Sequence, residues 1–239
     1  MIARVTRPEG ALARLREAWA VVVERFFTEE TCERWTRGVC EARAEWTNDF
    51  DGEQFTLGRA FYTHFEEDKS RAYFADVESS DARVERHVPG LQSAMRDLVS
   101  HTTGGHVCPR RGWCGPGVHV FPAKHPVARR GGVVHFDTEG LVARHIERRS
   151  PAVTLVAMLR PPVSGGGLRV WDARYDGHDH ATPEDLARPS TVITYARGDV
   201  ILIDSYRLHQ IQPFGGALDR ISATVHAAEV DAGLWETWF

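Results

Sequence analysis

Apolar residues recur at helical spacing in the first part of the chain, over Ala11 to Trp19 and over Glu29 to Trp46, where Thr28 is placed to cap the second run. Between them Val21 to Phe27 is β-branched and aromatic, which predicts a short strand. Leu91 to Ser100 is a third amphipathic helix, entered through Pro89-Gly90 and stopped by Gly104 and Gly105. Beyond residue 105 the period shortens to two. Short apolar runs with turn punctuation predict strands at Val118–Pro122, Gly132–Asp137, Val153–Leu159, Leu168–Ala173, Thr191–Ala196, Val200–Asp204, Leu208–Phe214 and Arg220–Ala228. With no helix expected between them, they argue against a parallel βαβ sheet and for a two-sheet jelly roll. The expectation is a mainly β protein: one domain over 1–239, with a helical N-terminal part (1–105) covering one face of a double-stranded, cupin-like β core (106–230). The polar segment Arg174–Pro189 reads as a surface loop.

A length of 239 residues allows a full core without disulfide or metal staples. The net charge of −4, without any block of like charges, gives no footprint for nucleic acid or an anionic membrane. The early apolar stretch Ala18 to Val23 is too short for a membrane span or a signal-peptide core. An intracellular, cytoplasmic protein acting on a small molecule is therefore expected. Cys32, Cys40, Cys108 and Cys114 lack C-x-x-C spacing and read as free, buried thiols.

The twelve histidines carry the chemistry. In a strand, His135 and Asp137 point to one face, about 6.6 Å apart along the backbone, so both reach one ion while Phe136 packs the other way. His209, in the strand after Gly198–Asp204, supplies a third ligand. Two histidines and a carboxylate leave coordination positions open, the arrangement of non-haem Fe(II) oxygenases. Arg220 and Ser222 form a second same-face pair, a charge-assisted clamp for the far end of a dicarboxylate. The charges of Fe(II), Asp137, a dicarboxylate and Arg220 cancel, which removes the main obstacle to burying them together.

The order His135-x-Asp137, Gly165-Gly166-Gly167-Leu168-Arg169-Val170-Trp171, Gly198-Asp199, then His209 with Pro213, Gly216, Arg220 and Ser222 resembles the Fe(II)/2-oxoglutarate-dependent dioxygenase superfamily. The pattern over about residues 116–228 is most similar to its prolyl-hydroxylase-like branch. The resemblance implies a double-stranded β-helix with His135, Asp137 and His209 as iron ligands. It implies Arg220 and Ser222 on the distal carboxylate of 2-oxoglutarate, and O₂ splitting that cosubstrate into succinate and CO₂ as a substrate C–H is oxidised. Where many relatives carry a cosubstrate-binding Tyr, Phe121 stands near the place, and His119 is the candidate substitute. Asp137 fills the position that halogenating members leave open, so hydroxylation or a related oxidation is expected. The alternatives are a protein side-chain (prolyl-type) hydroxylase and a non-catalytic metal or ligand sensor on the same barrel. His178 and His180 read as solvated loop residues, and Arg129 and Arg130 as a solvated face or an anion-capturing pair. Trp171, Glu139 and Tyr206 are expected near the cavity.

Overall fold

The period-two alternation at the C-terminal end governs the architecture. In the computed structural model, which describes residues 1–239, the strand Arg220–Asp231 turns Ile221, Ala223, Val225 and Ala227 into the largest apolar cluster, and Arg220, Ser222, Thr224 and His226 into a cavity. A single side-chain period thus divides one strand between core and site.

In chain order the elements are β1 (Ile2–Val5), α1 (Ala11–Arg14), β2 (Ala20–Val23), α2 (Glu29–Glu41), β3 (Thr47–Asp49) and β4 (Gln54–Leu57). Next come α3 (Phe61–Glu66), α4 (Ser70–Ala75), α5 (Val77–His87), α6 (Leu91–Thr103), β5 (His106–Pro109), β6 (Gly117–Phe121), α7 (Pro126–Arg130) and α8 (Ala143–Arg148). The rest are β7 (Ala152–Arg160), β8 (Ser164–Gly165), β9 (Leu168–Arg174), α9 (Pro183–Ala187), β10 (Ser190–Ile193), β11 (Val200–Asp204), β12 (Arg207–Ile211), β13 (Phe214–Gly215), β14 (Arg220–Asp231) and β15 (Leu234–Trp238).

The main sheet runs β1-β2-β11-β7-β14-β6-β4-β3, with β15 also on β14 and β5 beyond it. A three-stranded sheet, β10-β9-β12, and a two-stranded ribbon, β13-β8, complete the β structure. One face of the main sheet packs on the helices: Trp35 of α2, Val84 of α5 and Leu91, Met95 and Leu98 of α6 join Val118, Leu155, Leu202 and Ile221 in one cluster. On the other face Val22, Ile201 and Ile203 meet Leu168, Val170 and Ile193 of the smaller sheet. The result is a β-rich fold with helices on one side and a second sheet on the other. No helix is long and apolar enough to cross a membrane.

Several expectations change. The N-terminal part is not purely helical, since β1 to β4 all join the main sheet. The Ala11–Trp19 run forms helix only over α1, and the Glu29–Trp46 run ends at Glu41 with a 3₁₀ turn at Arg43–Glu45. The cap is as expected: Thr28 Oγ1 accepts a hydrogen bond from the Thr31 N–H at 3.2 Å. The strand predicted over Val21–Phe27 is β2, one residue earlier and ending at Val23. Helices α7, α8 and α9 lie among the C-terminal strands, α9 inside the predicted surface loop 174–189, where Thr182 caps it. All four cysteines are free, but only Cys32 and Cys114 are buried.

Candidate active site

The segment that carries His135 and Asp137 is not the strand its alternation predicts. Gly132 N–H donates to Ile211 O, His135 and His209 exchange both backbone bonds, and Asp137 N–H donates to Ser205 O. Between these pairings one side advances three residues against two, then two against four. The register slips on both sides of His135, and only an isolated bridge remains. Close approach is needed at the entry: Gly131 has φ 81°, and a Cβ there would stand 2.4 Å from Ile211 O.

The bridge nevertheless brings the three predicted residues together. His135, Asp137 and His209 each offer one ligand atom, and all lie within 4.8 Å of one another. His135 Nε2 is 3.4 Å from Asp137 Oδ1, and His209 Nε2 is 3.4 Å from Asp137 Oδ2. Both imidazoles donate Nδ1–H to a carbonyl two residues earlier, Val133 O and Arg207 O, each at 2.9 Å. Those bonds occupy both Nδ1 atoms and turn both Nε2 atoms toward the centre. Asp137 Oδ2 is buried without a hydrogen-bond partner, a costly condition that a cation at the centre relieves. The donor set of two imidazoles and a carboxylate fits a first-row dication.

Burial opposes a charge on His135, but its hydrogen bond and attraction to Asp137 outweigh that and raise its pKa to about 9. Burial would raise Asp137, yet His209 and His135 hold its carboxyl well below the usual range. His209 goes the other way: burial dominates and lowers it to about 4. A dication held by these imidazoles competes with protons for the same nitrogens, so metal affinity falls as pH falls.

These atoms open onto a cavity of about 300 Å³. Its floor is the alternate face of β14, β6 and β7, including His119, Phe121, Thr154 and Val156. Arg220 lies there, 1% exposed. Its Nη1 donates to Ser222 Oγ at 3.0 Å, its Nη2 donates to the Tyr195 hydroxyl, and Nε has no partner. Neither nearby acid takes it: Asp219 pairs with Arg160, and Asp199 accepts backbone N–H groups of Arg25 and Ala196. A buried guanidinium without a carboxylate is an anion site in waiting.

His119 lines the same cavity opposite Ser222 in register, and burial lowers its pKa to about 3. Tyr195, rather than His119, is the side chain bonded to the guanidinium. Sequence reading passed over Tyr195, although it shares the Thr191/Ile193 alternation, and passed over Tyr62, whose ring lies 14° from coplanar with His135 at 6.5 Å. His226, hydrogen-bonded to Thr154 Oγ1 at 2.9 Å, is a further cavity residue. Arg130 stays exposed, lines the cavity and pairs with Glu53, another lining residue. Trp171 and Tyr206 lie in a separate aromatic cluster, away from the cavity lining. Glu139 borders a small pocket beside Asp137, and burial raises its pKa to about 7. His178 is exposed on its loop, paired with Asp176, and His180 is exposed too.

No protein-family profile matches the chain, and no curated protein matches it. Solved structures do. The non-heme alpha-ketoglutarate-dependent carbocyclase SnoK from nogalamycin biosynthesis aligns with a TM-score of 0.60 at 17% identity, over 95% of this chain and 87% of that one. An N-substituted L-amino acid dioxygenase from Burkholderia ambifaria gives 0.59 at 13%, over 96% and 90%. The epimerase SnoN, solved with Fe³⁺, alpha-ketoglutarate and nogalamycin RO, gives 0.57 at 15%, over 90% and 81%. The chain therefore has the fold of the iron- and 2-oxoglutarate-dependent oxygenases.

Proposed function

We propose that the protein is an Fe(II)- and 2-oxoglutarate-dependent oxygenase on a double-stranded β-helix, oxidising an unactivated C–H of a small molecule with release of succinate and CO₂. The observation that carries this reading is the pairing, in one cavity, of an open three-ligand cluster with a buried arginine that has no acidic partner. Fe(II), O₂ and 2-oxoglutarate, when bound, supply an oxidant strong enough to break a C–H bond.

The chain's own residues position these groups. His135 and His209 would hold iron through Nε2, their rings fixed by Val133 O and Arg207 O. Asp137 would be the carboxylate ligand, and its presence closes the position a halide would need. Arg220 and Ser222 would take the distal carboxylate of the cosubstrate, with His119, neutral because of burial, on the same floor. Phe50, Val127, Val133 and Ile211 add apolar surface to the walls. A cavity of about 300 Å³ suits a small molecule. Work on an amino acid or natural-product intermediate agrees with the dioxygenase, carbocyclase and epimerase that share the fold.

The test is anaerobic loading with Fe(II) and 2-oxoglutarate, followed by O₂ and quantification of succinate. Iron-dependent succinate release, stimulated by a substrate from a metabolite panel, is the expected result. Tight binding of iron and 2-oxoglutarate without succinate would replace the enzyme with a sensor, and mass gain on a peptide alone would make it a protein hydroxylase.

A further inference from the structure

A second pocket, of about 490 Å³, lies where the segment after α1, the turn after α8, the end of β9 and the β11–β12 turn meet. None of its residues lines the catalytic cavity. Arg16, Arg149 and Arg174 reach it, against one carboxylate, Asp204. Asp204 is already engaged: it accepts from Arg174 Nη1 at 2.6 Å and from the Tyr206 N–H at 3.0 Å. Arg16 and Arg149 have no carboxylate within ion-pair distance. Arg149 also occupies the left-handed region (φ 50°, ψ 43°) at the end of α8, the position where helices favour glycine. Its guanidinium sits 5.4 Å from the Tyr206 ring centre and 5.7 Å from that of Tyr175.

The Tyr206 ring is anchored at its hydroxyl, and the main chain of Tyr175 is tied to that of Tyr206. Tyr206 donates its hydroxyl to His145 O at 3.0 Å, and Tyr175 N–H donates to Tyr206 O at 2.8 Å. Two guanidiniums free of carboxylate partners recognise an oxyanion, and the two aromatic rings with Leu15 offer surface to a flat apolar body. We propose that this pocket binds an aromatic oxyanion, with Arg16 and Arg149 on the head group and Tyr175 and Tyr206 on the ring.

The experiment is calorimetric titration of the full chain with benzoate, phenyl phosphate and inorganic phosphate, repeated on Arg149→Gly, Arg16→Ala and Arg220→Met. Saturable binding of benzoate or phenyl phosphate, weakened at least tenfold in Arg149→Gly and Arg16→Ala and unchanged in Arg220→Met, is expected. Glycine relieves the backbone at 149, so Arg149→Gly should melt no lower than the parent, which separates lost binding from lost fold. The proposal is overturned by absence of saturable binding into the millimolar range, or by binding that survives both pocket variants. Loss in Arg220→Met would place the ligand in the catalytic cavity instead. Inorganic phosphate binding as tightly as phenyl phosphate would remove the aromatic part of the assignment.

Discussion

Arg220→Met should make the ligand-free protein more stable and blind to 2-oxoglutarate. The side chain keeps an unbranched apolar stem while losing a guanidinium that is 1% exposed and faces no carboxylate. Burying an ion costs several kcal/mol even after relaxation. Hydrogen bonds to the Ser222 and Tyr195 hydroxyls offset part of this, about 1.5–3 kcal/mol each at best, and Nε makes none. Any remaining imbalance, at most about 1–3 kcal/mol, should appear as a rise in Tm of up to roughly 12 °C in a chain of this size. With cosubstrate the difference shrinks by about 2.7 kcal/mol and reverses wherever the ligand-free gain is smaller. Wild type gains about 2.7 kcal/mol at a hundredfold excess over Kd. The variant, deprived of one partner of a buried charged pair, loses about 3–5 kcal/mol of affinity, roughly 150- to 5,000-fold. Scanning fluorimetry with Zn(II) in place of iron, with and without 2-oxoglutarate, reads both effects. A variant that melts below wild type without ligand, or that keeps the 2-oxoglutarate shift, would refute the reasoning.

His209→Ala should abolish stoichiometric Fe(II) binding, measured anaerobically by metal analysis after gel filtration, while leaving the far-ultraviolet circular dichroism unchanged. Asp49, wholly buried and accepting from Thr56 and Thr63, has its pKa pushed up by that burial to about 7. A carboxyl with a raised native pKa binds its proton more tightly in the folded state, so its contribution is full below about pH 4 and is lost as pH rises to about 7. Asp49→Asn should therefore gain on wild type by a few kcal/mol between pH 4 and pH 8, checked by urea denaturation at both ends; a constant difference would show that Asp49 titrates normally. Gly198→Ala should cost about 2–4 kcal/mol, because φ is 83° and the new Cβ would lie 2.2 Å from Phe27 O; thermal melting measures it.

The site was legible where side-chain period and chemistry coincide. Arg220 and Ser222 could be paired from spacing alone because β14 keeps unbroken register against β6 from Arg220 to Thr224. His135 and Asp137 could be paired too, but for an incomplete reason. Their convergence on His209 comes from backbone bonds at a slipping register, which alternation cannot express. Tyr195, Tyr62 and Glu53 were missed because they enter from β10's end, α3 and the β3–β4 hairpin, and only tertiary packing brings these to the cavity. Helices α3 and α4 escaped notice because each is only six residues long, held by aromatic packing such as Phe61 on Trp113 at 4.4 Å rather than by propensity, and α5 because only Val77, Ala82 and Val84 of its eleven residues are apolar. The N-terminal strands were hidden for a similar reason. Segments of three or four residues at a sheet's margin carry too few positions to show a period.

The alternation of β14 also sets how this protein can change. Ile221, Ala223, Val225 and Ala227 answer to the helices behind the sheet, while Thr224 and His226 answer to whatever enters the cavity. Substitutions on the two faces share few partners, so their free-energy effects should add nearly independently. A library confined to Thr154, Val156, Thr224 and His226 can then reshape the chamber while the helix-side packing stays as it is. Retuning selectivity becomes a search over one side of a sheet, with folding held constant by the other.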